Sequence, residues 1–383
     1  MSAVAAERST GPGDGVPVAG RERTNSLYVQ RGKRTMSDSD TAEQELGITE
    51  SKEYSTGDWY AEVVQKSELA SYAPMGGFIV TRPRGYDIWE RIKSHLDGWF
   101  TETGVTNAYF PMFIPESYLE REKDVVEGFD PEVAWVTHGG YDELEERLAV
   151  RPTSESIIAP FIAQWTRSHR DLPMRLNQWC SVVRWEATET KPFFRTKEFL
   201  WQEGHTAHHD GEGAWSETML RLDQYERVYE EVLAMPVLKG RKPEHDKFPG
   251  ADTTTTVEAL MPDGKSVQGG TSHYLGTSFA EAFDITYVDT DERERTAHTT
   301  SWGLSWRAIG ALIMTHSDDQ GLVLPPALAD PQVLSSPSGV PTTGRPCSST
   351  PPTWRKRSRR PGCVLVWTTA ITATPGSSTT SGS

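Results

Sequence analysis

Two segments of the 383-residue chain carry charged, aromatic and imidazole side chains at every second position. In 176–186 these are Arg184 and Glu186, in step with Val182; in 195–209 they are Arg195, Lys197, Phe199, Trp201, Glu203 and His205. Alternate residues of a strand share one face. The polar stretch ATETKPFF (187–194) between the segments reads as the extended, mobile tip of an antiparallel hairpin. A face that mixes guanidinium, carboxylates and imidazole is a costly way to build a core, because buried charge must be paired. A salt-bridged outer face turned to water is the competing reading. The rings of Phe199 and Trp201 favour a pocket, since flat apolar surfaces stack on a base or wall off a small apolar substrate.

The surrounding pattern supplies elements to hold such a floor. Apolar residues at helical spacing predict a helix from Trp59 to Ala70 and another from Tyr86 to Phe100. The second turns Ile88, Trp89, Ile92, Leu96 and Trp99 to one side. VTNAYFPMFIP (105–115) is an apolar strand interrupted by Pro111, which suits a sheet edge and offers a dimer seam. A helix is expected from Trp215 to Ala234, and short strands at SVQGGTSHYLG (266–276) and FDITYVD (283–289). Hairpins and helices without regular βαβ units predict an antiparallel α+β fold.

Composition narrows the class. Of 54 acidic and 39 basic residues, 1–35 hold three acids against six bases, and 331–383 hold no acid against six bases. The body from 36 to 330 is therefore strongly acidic, so any RNA contact must be local. Dense carboxylates of this kind suit a protein adapted to high salt. Three scattered cysteines (Cys180, Cys347, Cys363) make no disulfide framework and no CxxC zinc pair, so a reducing cytoplasm is the default. Cys180 reads as a small hydrophobe. His205, His208 and His209 fall on mixed strand faces without cysteine support, which favours structural or substrate roles over zinc. The pair Gly269-Gly270 is too short to read as a phosphate loop. No apolar run reaches membrane-spanning length.

VVRWE (182–186), a loop, and RTKEFLWQEGHT (195–206) resemble motif 2 of the class II aminoacyl-tRNA synthetases, in the wording of the archaeal and eukaryotic prolyl-tRNA synthetases. VTNAYFPMFIPES (105–117) resembles motif 1 and its dimer interface. RPTSE (151–155) and QGGTSHYLG (268–276) resemble active-site walls, and SWGLSWRAIGALIMTHSDDQGLVLPP (301–326) resembles motif 3. Five such segments in order, across 51–326, make coincidence a poor explanation.

The resemblance implies a class II catalytic domain over 36–330, with an antiparallel sheet flanked by helices, that activates L-proline with ATP and transfers it to tRNA-Pro. It implies a cytoplasmic homodimer through motif 1 and Mg2+ accompanying the phosphates. Activation is attack of a carboxylate on the α-phosphate of ATP, so positioning anions and neutralising their charge dominate catalysis. The resemblance assigns Arg184 to the α-phosphate and the substrate carboxylate, Arg195 to the outer phosphates and Arg307 to the bent triphosphate. Arg184 and Arg307 are thus the catalytic pair. Phe199 would stack on adenine, with Thr196, Gln268 and Thr271 near the nucleotide. Thr153, Glu155, Arg184, Trp201, Glu203, His205 and His273 match proline-contacting positions. A synthetase-like protein without catalysis would be expected to lose a phosphate arginine or a pocket acid, and neither is lost here. An impaired, truncated synthetase is the other alternative.

The two ends depart from this pattern. Residues 1–35 read as a disordered extension and 331–383 as a disordered tail. Through permitted GC-rich codons one frame away, the tail from Leu334 can be read as a string with DDR and PGFKYNEWE segments. These resemble the family's anticodon-binding domain, and we expect a frameshift near Val333. Sequencing the coding DNA across this point should find codons compatible with that frame; incompatible codons would end the idea.

Overall fold

The structure, a computed structural model, describes residues 47–125 and 132–329. The two terminal segments and the expected frameshift lie outside the described residues. The first half runs α1 (Thr56–Lys66), β1 (Ala70–Tyr72), β2 (Ile79–Thr81), α2 (Pro83–Glu102), β3 (Thr106–Asn107), β4 (Phe113–Pro115), α3 (Glu116–Val125), β5 (Trp135–Gly139), β6 (Asp142–Val150), α4 (Glu155–Trp165). The second half runs β7 (Met174–Val183), β8 (Glu198–His208), α5 (Gly211–Arg227), β9 (Leu238–Arg241), β10 (Thr253–Leu260), β11 (Ser266–Gly276), α6 (Ser278–Ala282), β12 (Thr286–Val288), β13 (Glu294–Thr296), β14 (His298–Ser305), α7 (Arg307–His316).

Seven strands form the central sheet in the order β3-β7-β8-β14-β11-β10-β9. All neighbours are antiparallel except β3 with β7, so the α+β expectation holds. The segment around Pro111 is no continuous strand. It splits into β3, at the sheet edge, and β4, which joins a separate three-stranded sheet with β5 and β6. Proline has no N–H to give a ladder, which explains the break.

One face of the large sheet packs on α2, α5 and α7. Ile88, Trp89, Ile92, Leu96 and Phe100 of α2 join Leu222 and Tyr225 of α5 and the buried residues Ile309, Leu312 and Ile313 of α7. Pro83 opens α2, where its missing N–H costs nothing, and Gly104 (φ 81°) closes it in the left-handed region. Trp99 sits at the rim of this face, half-buried, with the Arg227 guanidinium 4.0 Å from its ring centroid. A helix of 3.6 residues per turn puts Phe100, not Trp99, in line with Leu96 and Trp89.

Gly204 shows how tightly the layers meet. It lies opposite Trp302 in the β8–β14 ladder, and a Cβ there would stand 2.1–2.3 Å from the indole ring. Trp302 is itself fixed against Phe100, with centroids 4.8 Å apart, and has nowhere to move. Gly204→Ala should therefore lower stability by about 1–3 kcal/mol or more, as overpacked cores do. A melting curve unchanged from wild type would contradict this packing.

Candidate active site

The sheet face opposite Trp302 carries the site. Strand register places Gln178 across from Glu203, Cys180 across from Trp201 and Val182 across from Phe199. On the other side of β8, Ser301, Gly303 and Ser305 of β14 face His205, Glu203 and Trp201. Beyond them Thr271 and His273 of β11 pair with Gly303 and Ser301. Trp201, Glu203, His205, Thr271 and His273 thus lie on one continuous floor, as strand alternation predicts.

Alternation fails for the other four charged positions. β7 ends at Val183 and β8 begins at Glu198, so Arg184, Glu186, Arg195 and Lys197 lie in the connecting segment. The Arg184 N–H still donates to the Lys197 carbonyl at 2.7 Å, carrying the pairing one step further. Beyond it the chain folds back on itself. Phe193 is buried, and the Lys191 and Arg195 amides each donate to the other's carbonyl, at 2.8 and 2.9 Å. The second half of the tip, Lys191 to Phe194, is packed onto the body, while Thr188, Glu189 and Thr190 stay exposed. The buried Thr196 gives its hydroxyl to the Glu198 carbonyl at 2.6 Å, fixing the entry into β8.

Three arginines gather beside the floor. Arg184, half-buried, donates from Nε to the Pro152 carbonyl at 3.3 Å, and its guanidinium lies 5.3 Å from the Phe199 ring centroid and 5.7 Å from that of Trp201. Arg307, at the first turn of α7, donates from Nε to the Phe194 carbonyl at 3.1 Å. Burial makes the Arg307 charge costly, and the charges of Arg184 and Arg195 add to that cost. For Arg184 burial again comes first, opposed by Glu186, Glu155 and Glu203 and reinforced by Arg195. None of the three makes an ion pair with a carboxylate at salt-bridge distance among the described residues. Mutually repelling guanidiniums of this kind are chemically suited to a multiply charged anion.

The other end of the floor holds carboxylates. Glu203 is buried, and its Oε1 accepts from Ser154 Oγ at 2.5 Å, Gln178 Nε2 at 2.6 Å and Cys180 Sγ at 3.3 Å. Its Oε2 lies 3.3 Å from His205 Nε2. Burial alone would neutralise both partners; their pairing, with the Ser154 and Gln178 donors, lowers the Glu203 pKa and raises that of His205. Both shifts favour a buried carboxylate–imidazolium pair. His273 behaves oppositely. Burial, then the charges of His205, Lys242 and Arg184, push it down to about 3, so it stays neutral. Thr254 Oγ1 lies 3.0 Å from its Nδ1, and Phe248 covers its ring at 4.7 Å. Glu155 opens α4 and accepts a hydrogen bond from Thr153 Oγ1.

Several residues of this site escape sequence reasoning. Gln178 and Cys180 lie on β7 beyond the charged end of the hairpin, yet both donate to Glu203. Cys180 is therefore more than a filler, although burial and the neighbouring Glu203 raise its thiol pKa and keep it protonated. Ser154 and Phe248 come from a turn and a loop, where no periodicity operates. Ser301 is buried on the floor with no hydrogen-bond partner for its hydroxyl among the described residues. Gly269 and Gly270 serve packing, because a Cβ at either would collide with Tyr229 or Tyr225 at 2.6 and 2.9 Å. The three neighbouring histidines do not converge: His208 bonds Thr206 Oγ1 and His209 the His169 carbonyl, each at 2.8 Å.

Residues 135–316 match the family of tRNA synthetase class II core domains (G, H, P, S and T). The chain is 84% identical over 297 residues to the proline--tRNA ligase of Haloarcula marismortui, covering 78% of this chain and 61% of that protein. It is 82% identical over 295 residues to the Natronomonas pharaonis enzyme, covering 77% and 61%. Among solved structures, the prolyl-tRNA synthetase of Cryptosporidium parvum, complexed with halofuginone and AMPPNP, superposes with a TM-score of 0.71 at 51% identity, over 74% of this chain and 58% of that one. The chain thus spans about 60% of the length of the curated relatives it matches. Its acidic composition accords with relatives from salt-loving archaea.

One carboxyl beside the site makes a pH prediction. Glu122 of α3 is 0% exposed, accepts from Ser156 Oγ and is pushed up to about 8, by burial first and then by Glu155. Between its ordinary 4.5 and about 8 the unfolded chain releases a proton that the folded chain keeps, so stability falls as pH rises across that window. Glu122→Gln should flatten this fall. Melting curves of wild type and variant that stay parallel from pH 4.5 to 8 would refute it.

Proposed function

The chain belongs to the prolyl-tRNA synthetases of class II, and we propose from that premise that its site joins L-proline to the α-phosphate of ATP and passes the prolyl group to tRNA-Pro. The observation that carries the reading is the three-arginine cluster abutting the buried Glu203–His205 pair. An anion receptor and a cation receptor adjoin on one sheet floor, as the condensation of a nucleotide with a zwitterionic amino acid requires.

Arg184 lies between the two halves, electrostatically coupled to Glu155 and Glu203 on one side and to Arg195 on the other. It would neutralise the proline carboxylate and the α-phosphate together. A carboxylate oxygen then forms a bond to the α-phosphorus, the bond to the bridging oxygen breaks and pyrophosphate departs. No proton need move, so catalysis rests on holding the two anions in line. Arg195 and Arg307 would take the outer phosphates, and Phe199, under the Arg184 guanidinium, would stack on adenine. Thr196 would shape the turn through its bond to Glu198.

Gln268 and Thr271 make no side-chain hydrogen bond among the described residues and offer oxygen donors beside the nucleotide. No group of three or more histidine, cysteine, aspartate or glutamate residues that could hold a metal occurs among the described residues. That donor set suits Mg2+ carried mainly by phosphate oxygens and water, with Gln268 and Thr271 at its margin. The ion would neutralise phosphate charge. On the amino-acid side Thr153, Glu155 and Glu203 would receive the ring ammonium, with His205 holding Glu203 in place, while Trp201 and His273 close on the ring. Ser301 supplies an open hydroxyl on the same floor.

The exposed Tyr109, Met112 and Phe113, with Trp135 and Trp165, surround the β3–β4 edge and support a homodimer through it. Among the described residues no helix is long and apolar enough to cross a membrane; we place the enzyme in the cytoplasm with its tRNA.

At high salt the full chain should exchange labelled pyrophosphate into ATP with proline and not with alanine or threonine. Arg184→Ala should slow this about 10²–10³-fold, the loss expected for a group that stabilises transition-state charge. Equal exchange with alanine, or none by a folded chain that binds ATP, would contradict the reading.

A further inference from the structure

The segment between β7 and β8 is held from behind by a residue outside every motif. Tyr60 of α1 is 0% exposed, and its hydroxyl donates to the Pro192 carbonyl at 2.7 Å. The same carbonyl accepts from the Phe194 amide at 2.8 Å, closing an i to i+2 turn around Phe193. Phe193 has φ 61°, in the left-handed region. A γ-turn of positive φ is rare and strained, and more so at a bulky residue. Strained backbone persists where its surroundings over-determine it.

The surroundings here are specific. The Phe193 ring packs against Trp306 with centroids 5.6 Å apart, and the Phe194 ring packs against Tyr60 at 5.2 Å. Lys191 Nζ lies 4.6 Å from the Tyr60 ring centroid. What the turn delivers lies at its far end: the Phe194 carbonyl accepts from Arg307 Nε at 3.1 Å, and the next residue is Arg195. The turn therefore seats the Arg307 guanidinium directly and sets the backbone from which the Arg195 side chain departs. Among the described residues no such connection runs from Tyr60 to Glu155, Glu203 or His205. Burial raises the Tyr60 pKa well above its usual value, so the hydroxyl keeps its proton to donate.

We propose that Tyr60 is a positioning residue for the nucleotide half of the reaction, its hydroxyl holding the Phe193 turn that aims Arg195 and Arg307 at the triphosphate. The inference rests on the prolyl-tRNA synthetase reading above and adds to it a residue of the first described helix.

Tyr60→Phe removes one oxygen and keeps the ring contacts. In the full chain, pyrophosphate exchange should show KM for ATP raised about three- to tenfold, the range expected for one lost buried hydrogen bond. KM for proline should stay within about twofold. The rise in melting temperature caused by AMPPNP should shrink in the variant, while the rise caused by proline should not. Unchanged KM for ATP, equal changes in both KM values, or a variant that fails to fold would overturn the proposal, the last by assigning the hydroxyl to stability alone. A wild-type chain without proline-dependent exchange would instead sink the underlying reading. The AMPPNP-dependent melting shift, which needs no turnover, would still test Tyr60.

Discussion

Three guanidiniums within electrostatic reach of one another, with no carboxylate in salt-bridge contact among the described residues, are the constraint around which the rest of the structure is arranged. Like charges in a partly desolvated setting repel, and side chains free to move would turn to water. Two of them stay because backbone carbonyls fix them: Pro152 receives Arg184, and Phe194 receives Arg307, while Arg195 stays exposed beside them. The carbonyls are fixed in turn by the sheet, by α7 and by the strained turn against α1. The positive charge is concentrated at one end of the floor, inside a body rich in carboxylates.

The Glu203–His205 end of the floor uses the opposite device. Ser154, Gln178, Cys180 and His205 all converge on Glu203, so that buried carboxylate is satisfied without leaving the floor. An isolated buried carboxylate would take up a proton; His205, Ser154 and Gln178 hold the pKa of this one below its ordinary value. Burial first, and then the charge of His205, keeps His273 neutral, and the two imidazoles on one floor present different faces to a ligand. Glu122, one layer behind Glu155, takes the remaining option and keeps its proton. Local partners thus set three different outcomes for buried ionisable groups within one small region.

The hairpin and its floor were legible in the sequence, because alternation is a local rule and β8 obeys it from Trp201 to His205. The antiparallel α+β architecture followed from the same patterns. Alternation gave no guide to Arg195 and Lys197, which share its parity but lie in a turn shaped by long-range contacts. Nor could it reveal Tyr60, more than 130 positions upstream of the carbonyl it meets. Gly269 and Gly270 looked like a weak loop signal and proved to be clearance for two tyrosines, visible only once α5 is laid on the sheet. Pro111 announced an edge correctly, but its neighbours divided between two sheets.

The most direct test is calorimetric titration, at high salt, with a non-hydrolysable mimic of prolyl-adenylate, against proline and AMP alone. If Arg184 joins the two receptors into one site, the mimic should bind at least about 10²-fold tighter than either part, as ligands resembling the transition state do. Binding no tighter than that of AMP would mean that the guanidinium cluster and the Glu203–His205 pair do not act on one substrate.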